Sequence, residues 1–385
     1  MNPELIQNIR QAYQCRFNVQ PTGVAYAPGR VEILGNHTDY NDGFVLSAAT
    51  DAGVAVALSP RGGPQAVLRS LDLNEEVTLS LPVTAPLVRP LWANYMAGVA
   101  HMLGPKAVQG FQAVMAGDIP MGSGLSSSAA LEVATGLALC ALNGIQLTPL
   151  ALARACQKAE HEYAGAKCGL LDQISSLFGQ DHALVFTDFR SLKVASLPLP
   201  GDLCFLVANT RVKHSLVDGE YNERRETCEK AAAYFNRTLV HPVKALRDVS
   251  LDEWTAHAPR MPAILAKRAA HVIGENQRVL AARSLLANGQ LKEFGRLMFD
   301  SHRSSQTNFE NSCPELDFIV DTAETMPVVF GARLSGGGFG GSAVLLVRPA
   351  DAPTVGQALA EQYQQRYGTP CDIQRITPSA GARLL

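Results

Sequence analysis

The chain of 385 residues is long enough for two domains, each with its own core. Apolar residues at 47% and charged ones at 18% are globular values, and a net charge of −2 offers no basic field for nucleic acid. Small, neutral partners are expected, and no apolar run reaches the ~18 residues of a membrane span.

Leu5, Ile9 and Tyr13 lie at helical spacing and predict an amphipathic opening helix over 3–17. Brief apolar runs set off by Gly, Pro, Asn and Asp predict short strands at 24–27, 31–34, 44–46, 54–58 and 67–71. Residues 91–103 place Trp92, Tyr95, Met96 and Val99 on one helical face, and 110–115 read as a strand. Helices follow at 129–142 and 149–163, then strands at 183–188, 194–198 and 203–209. Pro198-Leu-Pro-Gly201 marks the expected boundary between domains 1–198 and 199–385. Helices are predicted at 221–235, 262–287, 291–305 and 314–325, strands at 328–335 and 342–347, a helix at 352–367 and a last strand. The eight cysteines form no Cys-x-x-Cys pair, as expected of buried thiols in a reducing cytoplasm. The chain opens on Asn2-Pro-Glu-Leu rather than on a basic and then apolar leader.

The strand at 110–115 delivers the chain to Pro120-Met-Gly-Ser-Gly-Leu-Ser-Ser-Ser-Ala-Ala130, which runs directly into the alanine-rich helix. Gly122 and Gly124 permit backbone conformations closed to other residues, and Ser126, Ser127 and Ser128 offer hydroxyls and free amides at a helix N-terminus. Such an end suits phosphate. A capped helix after an ordinary turn would need one serine, and three exceed it. No lysine follows the glycines as a Walker loop requires, Ser127 stands where a dinucleotide fingerprint needs glycine, and Gly-x-Ser-x-Gly fits no frame.

Three further stretches carry chemistry. Gly29-Arg-Val-Glu-Ile-Leu-Gly-Asn-His-Thr-Asp-Tyr-Asn-Asp-Gly43 is dense in hydrogen-bonding side chains and suits a polyol, although a polar turn that satisfies itself has the same look. Gly336 to Ser342 holds five glycines in seven residues, an entropic cost that argues for a required close approach. Asp172, in Cys168-Gly-Leu-Leu-Asp-Gln173, lies twelve residues after Glu160, and each acid alone is more simply structural. Beside a phosphate loop they suit a base and a metal ligand.

The loop Pro-x-Gly-x-Gly-Leu-Ser-Ser-Ser-Ala resembles the central motif of the GHMP small-molecule kinases. Arg30 to Gly43 is similar to the galactokinase signature Gly-Arg-Val-Asn-Leu-Ile-Gly-Glu-His-Thr-Asp-Tyr-Asn, and Ala332 to Ser342 to the third, glycine-rich motif. Trp92-Ala-Asn-Tyr95, Asn209 to Cys228, His271-Val-Ile-Gly-Glu-Asn276 and Ser312-Cys-Pro-Glu-Leu316 also resemble galactokinase segments, so the likeness spans roughly residues 20 to 350.

The resemblance implies an α+β, two-domain GHMP kinase architecture with mixed sheets and the active site in the interdomain cleft. It implies ATP-dependent phosphorylation of the anomeric hydroxyl of galactose. Gly122, Ser123, Gly124, Leu125, Ser126, Ser127 and Ser128 would hold the ATP phosphates, with Trp92 near the base. Ser128 and Glu160 would ligate Mg²⁺. Asn36, His37, Thr38, Asp39, Gly169 and Tyr221 would contact the sugar, Asp172 would take or orient the anomeric proton, and Arg30 would offset charge. The implied partners are ATP and a sugar, without nucleic acid or membrane, for a cytoplasmic monomer or weak homo-oligomer.

The sugar motif departs from the galactokinase pattern at two places: Asn36 replaces the glutamate before His-Thr-Asp, and Glu32 replaces the asparagine after Arg-Val. An amide at position 36 no longer repels an anion. This keeps galacturonate, arabinose or an N-acetylated galactose open as alternative substrates, alongside a non-catalytic sensor. Against the sensor, Arg30, Glu160, Asp172 and the serine loop are all present.

Overall fold

The computed structural model describes residues 1–385 apart from Met121, Lys167 and 214–216, with backbone only at Val108, Lys213, Val217 and Asp218. Met121 of the phosphate loop and 214–216 of the Asn209 to Cys228 segment therefore lie outside the described residues. Helix α1 (Pro3–Phe17) starts where Asn2 accepts a hydrogen bond from the Glu4 amide, with Pro3 in its first turn. Its Leu5, Ile9 and Tyr13 cover one face of a sheet, against Val24, Tyr26, Ala55 and Val114.

That sheet begins with two long strands, β1 (Gly23–Leu34) and β2 (Phe44–Pro60), each of which the sequence divides into two short ones. In β1 the apparent break at Pro28-Gly29 is a bulge, a shift of register between Pro28 and Arg30. A Cβ at Gly29 would fall 2.4 Å from the Leu125 carbonyl oxygen, which instead accepts from the Arg30 amide at 3.0 Å. The bulge thus lets the phosphate loop press on the strand that carries Arg30.

Strands β3 (Gln65–Ser70) and β4 (Glu75–Ser80) form a hairpin, α2 (Ala93–Met102) follows, and β5 (Phe111–Gly117) leads to the loop before α3 (Ser127–Asn143). Helix α4 (Pro149–Ala159) ends in a π-helical turn, Glu160–Ala164, and α5 (Leu171–Phe178) precedes β6 (Ala183–Asp188) and β7 (Lys193–Pro198). The first sheet is mixed, because β3 and β5 run parallel while its other pairs are antiparallel. Alternate residues of β1, β2 and β5 face α1 on one side and, on the other, a core built with α2 and α3.

The chain continues through β8 (Cys204–Lys213), α6 (Val217–Thr238), α7 (Leu251–His257), α8 (Ala263–Ala287), α9 (Leu291–Ser304) and α10 (Pro314–Glu324). Then come β9 (Gly331–Ser335), β10 (Gly340–Val347), α11 (Ala352–Tyr367), β11 (Asp372–Ile376) and β12 (Arg383–Leu384). A second sheet, all antiparallel, has the order β11-β8-β10-β9. Phe205, Val207, Val344 and Leu346 on one of its faces join the core of the first sheet, and Leu206, Ala208, Leu345 and Val347 on the other pack with α10 and α11. The last residues return to the first sheet, where β12 pairs with Ala25 and Tyr26 of β1. The result is the expected α+β arrangement, and the loops that face each other between the sheets carry the polar motifs.

Candidate active site

The phosphate loop sits in the backbone conformations its glycines allow: Gly122 and Gly124 have φ of +73° and +72°. Ser126, at the start of α3, is also left-handed with φ +57°. Leu125, 2% exposed, anchors the loop in the core. The Ser123 carbonyl accepts from Ser342 Oγ at 2.7 Å and the Gly122 carbonyl from Asn209 Nδ2 at 3.2 Å, so the loop is tied to β8 and β10 across the cleft. Ser127 is exposed in the first turn of α3. The facing glycine-rich loop has positive φ at Gly336, Gly338, Phe339, Gly340 and Gly341. Between the two loops lies a cavity of about 740 Å³ lined by Gly122, Gly124, Ser126, Asn209 and Gly336 to Ser342.

Arg30 forms part of that cavity and of a second one, about 310 Å³, beside it. Its Nε and Nη2 donate to the two oxygens of Asp172 at 2.8 and 2.9 Å, and Nη1 donates to the Gly124 carbonyl at 2.7 Å. This planar fork grips the carboxylate and the phosphate loop together. Asp172 lies in the first turn of α5, an element the sequence does not reveal, and also accepts from Ser126 Oγ. The Asp172 carboxylate thus has a cationic partner in Arg30 and a hydroxyl partner in Ser126.

Ser128 Oγ donates to Glu160 Oε1 at 3.2 Å, where α4 passes into its π turn. Glu160 Oε2 accepts from Cys168 Sγ and Gln173 Nε2, both at 2.9 Å. Burial raises the Glu160 carboxyl above its ordinary range. Glu132, one turn beyond Ser128, shares Gln173, and burial together with the Glu160 charge pushes it up to about 10.

The second cavity is lined by Glu32, Asn36, His37, Asp39, Gly169, Asp172 and Tyr221 among others. His37 Nδ1 faces the Tyr40 hydroxyl at 2.7 Å and Nε2 faces the Gly337 carbonyl at 2.9 Å, so Nε2 carries the proton. Burial lowers this imidazole to about 4. Its ring lies 5.1 Å from that of Tyr221 and 4.5 Å from that of Phe309. Asp39 is raised to about 7, first by burial and then by the nearby charge of Glu32. A Cβ on Gly169 would fall 1.7 Å from Asp39 Oδ2, which is why glycine stands there.

Asn36 lines this cavity but its amide is engaged: Nδ2 donates to Glu32 Oε1 at 3.0 Å and to the Gly336 carbonyl at 2.7 Å, and Oδ1 accepts from Asn311 Nδ2 at 2.9 Å. The Gly35 and Asn36 amides donate to Glu275 Oε2. Burial would raise the Glu275 carboxyl, but the Arg278 guanidinium 2.5 Å away holds it well below the usual range. Glu275, Arg333, Gln173 and Glu132 are given no role in the sequence reading, although all but Glu132 fall inside motifs that it names, because nothing local shows which partner each side chain reaches. Two expected contacts fall elsewhere. Thr38 is fully buried with Oγ1 at 2.7 and 2.6 Å from the Gly35 and Phe44 carbonyl oxygens, so it closes the turn and does not line the cavity. Trp92 lines neither cavity, and its indole N–H donates to Glu75 Oε2 at 2.6 Å.

Residues 11–60 match the galactokinase galactose-binding signature, 94–180 the GHMP kinases N terminal domain, and 282–365 the GHMP kinases C terminal. A galactokinase of Haemophilus influenzae is 40% identical over 387 residues and covers 99% of both chains. One of Bos taurus is 40% identical over 368 residues, covering 94% of this chain and 92% of that one. The crystal structure of Lactococcus lactis galactokinase complexed with galactose aligns with a TM-score of 0.92 at 30% identity, covering 98% of this chain and 99% of that one. Mevalonate kinase of Methanococcus jannaschii, at 18% identity and a TM-score of 0.62, shares the fold alone. By sequence over nearly its full length and by fold, the chain belongs to the galactokinase family of the GHMP kinases.

Proposed function

We propose that the protein transfers the γ-phosphoryl group of ATP to the anomeric hydroxyl of galactose, giving galactose 1-phosphate. The observation that carries this reading is the meeting of the two cavities at one ion pair: Arg30 lines both, and its partner Asp172 lines the smaller. The larger cavity, bordered by glycine backbone and the N-terminus of α3, suits a polyphosphate. The smaller, bordered by carboxylates, an amide and aromatic rings, suits a polyol. In this reading Asp172 accepts the proton of the anomeric hydroxyl, and Arg30 fixes the orientation of Asp172 and offsets charge on the transferring group. Gly122 to Ser128 hold the phosphates, while Asp39, His37 and Tyr221 hold the sugar.

The donor set fits magnesium. Among the described residues no three His, Cys, Asp or Glu cluster as ligands, and magnesium characteristically takes only one or two protein oxygens beside phosphates and water. Ser128 Oγ and Glu160 Oε1, 3.2 Å apart, approach the ~3 Å edge of an octahedron with bonds of about 2.1 Å. Bound between them and the phosphates, the ion would neutralise charge on the transferring group. In this reading residues 1–198 carry the serine loop and the sugar motif and residues 199–385 the facing glycine-rich loop, with β12 returning to the first sheet. Among the described residues no helix is long and apolar enough to cross a membrane. The cytoplasmic location and the monomeric or weakly homo-oligomeric state are part of the proposal and rest on the family resemblance.

The test is ADP release from purified protein with ATP and magnesium, compared across galactose, arabinose, N-acetylgalactosamine and galacturonate. Galactose is expected to give the highest kcat/KM. Nucleotide and sugar binding without turnover would instead mark a sensor.

A further inference from the structure

Glu32 stands on β1 two residues beyond Arg30. Pairing with β2 is regular there, Arg30 against Ala49 and Glu32 against Ser47, so both side chains leave the same face of the strand. Arg30 reaches the reacting end of the sugar cavity through Asp172, and Glu32 lines the cavity about 7 Å further along. The Glu32 side chain is 5% exposed. Its Oε1 accepts from the buried Arg333 Nη1 at 2.9 Å and from Asn36 Nδ2 at 3.0 Å. Its Oε2 has no donor among the described residues and is not sealed in the interior, so it opens on the cavity that Glu32 lines. A carboxylate oxygen in that position needs a hydrogen-bond donor, and the sugar supplies one.

Asn36 does not take this role, because both its N–H bonds go to Glu32 and Gly336 and its oxygen already accepts from Asn311. The usual galactokinase order, asparagine after Arg-Val and glutamate before His-Thr-Asp, is exchanged in this chain, and the exchanged side chains touch. The carboxylate has moved within the pocket and has not left it.

We propose that Glu32 is a substrate-binding residue that sets sugar specificity, its Oε2 accepting a hydrogen bond from the hydroxyl on carbon six, with Asn36 as the positioning residue. The assignment rests on the galactokinase reading. Arg30, which holds Asp172, and Glu32 stand about 7 Å apart along β1 in one cavity, a spacing that suits a hexose with its anomeric oxygen at the aspartate and carbon six toward Glu32. A sugar oxidised at carbon six brings a second negative charge against Glu32 and is rejected. The tolerance of galacturonate expected from Asn36 alone is thereby reversed. Arabinose, one carbon shorter, leaves Oε2 unpaired.

The experiment measures kcat/KM for galactose, 6-deoxygalactose and galacturonate in the wild type, in Glu32→Gln and in the double exchange Glu32→Asn with Asn36→Glu. The wild type is expected to favour galactose over 6-deoxygalactose by about 10- to 100-fold, the worth of a hydrogen bond to a charged group, and to leave galacturonate unphosphorylated. In Glu32→Gln the preference shrinks to within about threefold and KM for galactose rises while KM for ATP holds. The double exchange restores the preference, because one carboxylate and one amide again occupy the two places. A wild type that uses galactose and 6-deoxygalactose equally, or a preference unchanged in Glu32→Gln, overturns the assignment. If Glu32→Gln fails to fold because Arg333 loses its partner, the wild-type preference and the double exchange decide. A wild type inert toward galactose removes the kinase reading and this assignment together, whereas an active enzyme without the preference removes this assignment alone.

Discussion

Replacing Arg30 by lysine keeps the charge and removes the fork. The guanidinium makes three hydrogen bonds, two to Asp172 at 2.8 and 2.9 Å and one to the Gly124 carbonyl at 2.7 Å. A lysine ammonium is a point charge that can keep one bond to the carboxylate, so one carboxylate bond and the loop contact are lost. The pair is little screened, with side-chain exposures of 9% and 20%. At about 1.5 kcal/mol for each bond to a charged group, the loss is about 3 kcal/mol. With the fork already formed before substrate binds, a loss of that size expressed in the transition state is roughly a hundredfold fall in kcat. KM for galactose should change little, and KM for ATP should rise because the Gly124 contact no longer steadies the phosphate loop. The assay is steady-state ADP release at saturating magnesium, with thermal unfolding as a control for folding. A variant with kcat within about threefold of wild type would show that the bidentate geometry has no part in the chemistry.

Ser128→Ala and Glu160→Gln should each raise the magnesium concentration needed for half-maximal rate. Their double variant should lose less than the two effects combined, and strict additivity would show that they do not share an ion. Gly169→Ala sets a methyl group 1.7 Å from the present position of Asp39 Oδ2, so Asp39 must shift. KM for galactose is expected to rise at least tenfold, an estimate of roughly 1.4 kcal/mol, with nucleotide affinity unchanged by calorimetry. Asp39, raised to about 7 by burial and by Glu32, is protonated below that pH and ionised above it. As the ionised form accepts sugar hydroxyls more strongly, kcat/KM for galactose should rise between pH 6 and 8, a slope that Asp39→Asn should flatten.

The periodic elements are legible in the sequence because burial acts on one face at a time. Leu5, Ile9 and Tyr13 mark α1 residue for residue, and the Gly122 and Gly124 positions mark a loop whose backbone does adopt positive φ. Legibility fails where a break in pattern is not a break in structure: Pro28-Gly29 reads as a turn but is a bulge inside β1. It fails for short elements too, since α5 has eight residues without a side-chain cap and β12 has two. Arg30, Asp172, Ser128 and Glu160 are recognisable by residue type and come together as pairs in space. Their supports are not recognisable. Arg333 lies within the wholly buried strand β9 and reaches Glu32 from 301 positions away, and Glu275 reaches Asn36 from 239. No local pattern encodes such contacts. Reading Asn36 by itself therefore suggests a lost charge, whereas the fold returns that charge through Glu32.

The central claim is that Asp172 takes the anomeric proton while the two loops hold the phosphates, and one variant addresses it most directly. In Asp172→Asn the side chain keeps its size, and phosphorus NMR of the reaction with ATP and galactose follows formation of galactose 1-phosphate while calorimetry follows binding of ATP and of galactose. The account predicts that both ligands still bind and that the rate of product formation falls by about 10³-fold or more. Product formed at more than about a tenth of the wild-type rate would contradict it.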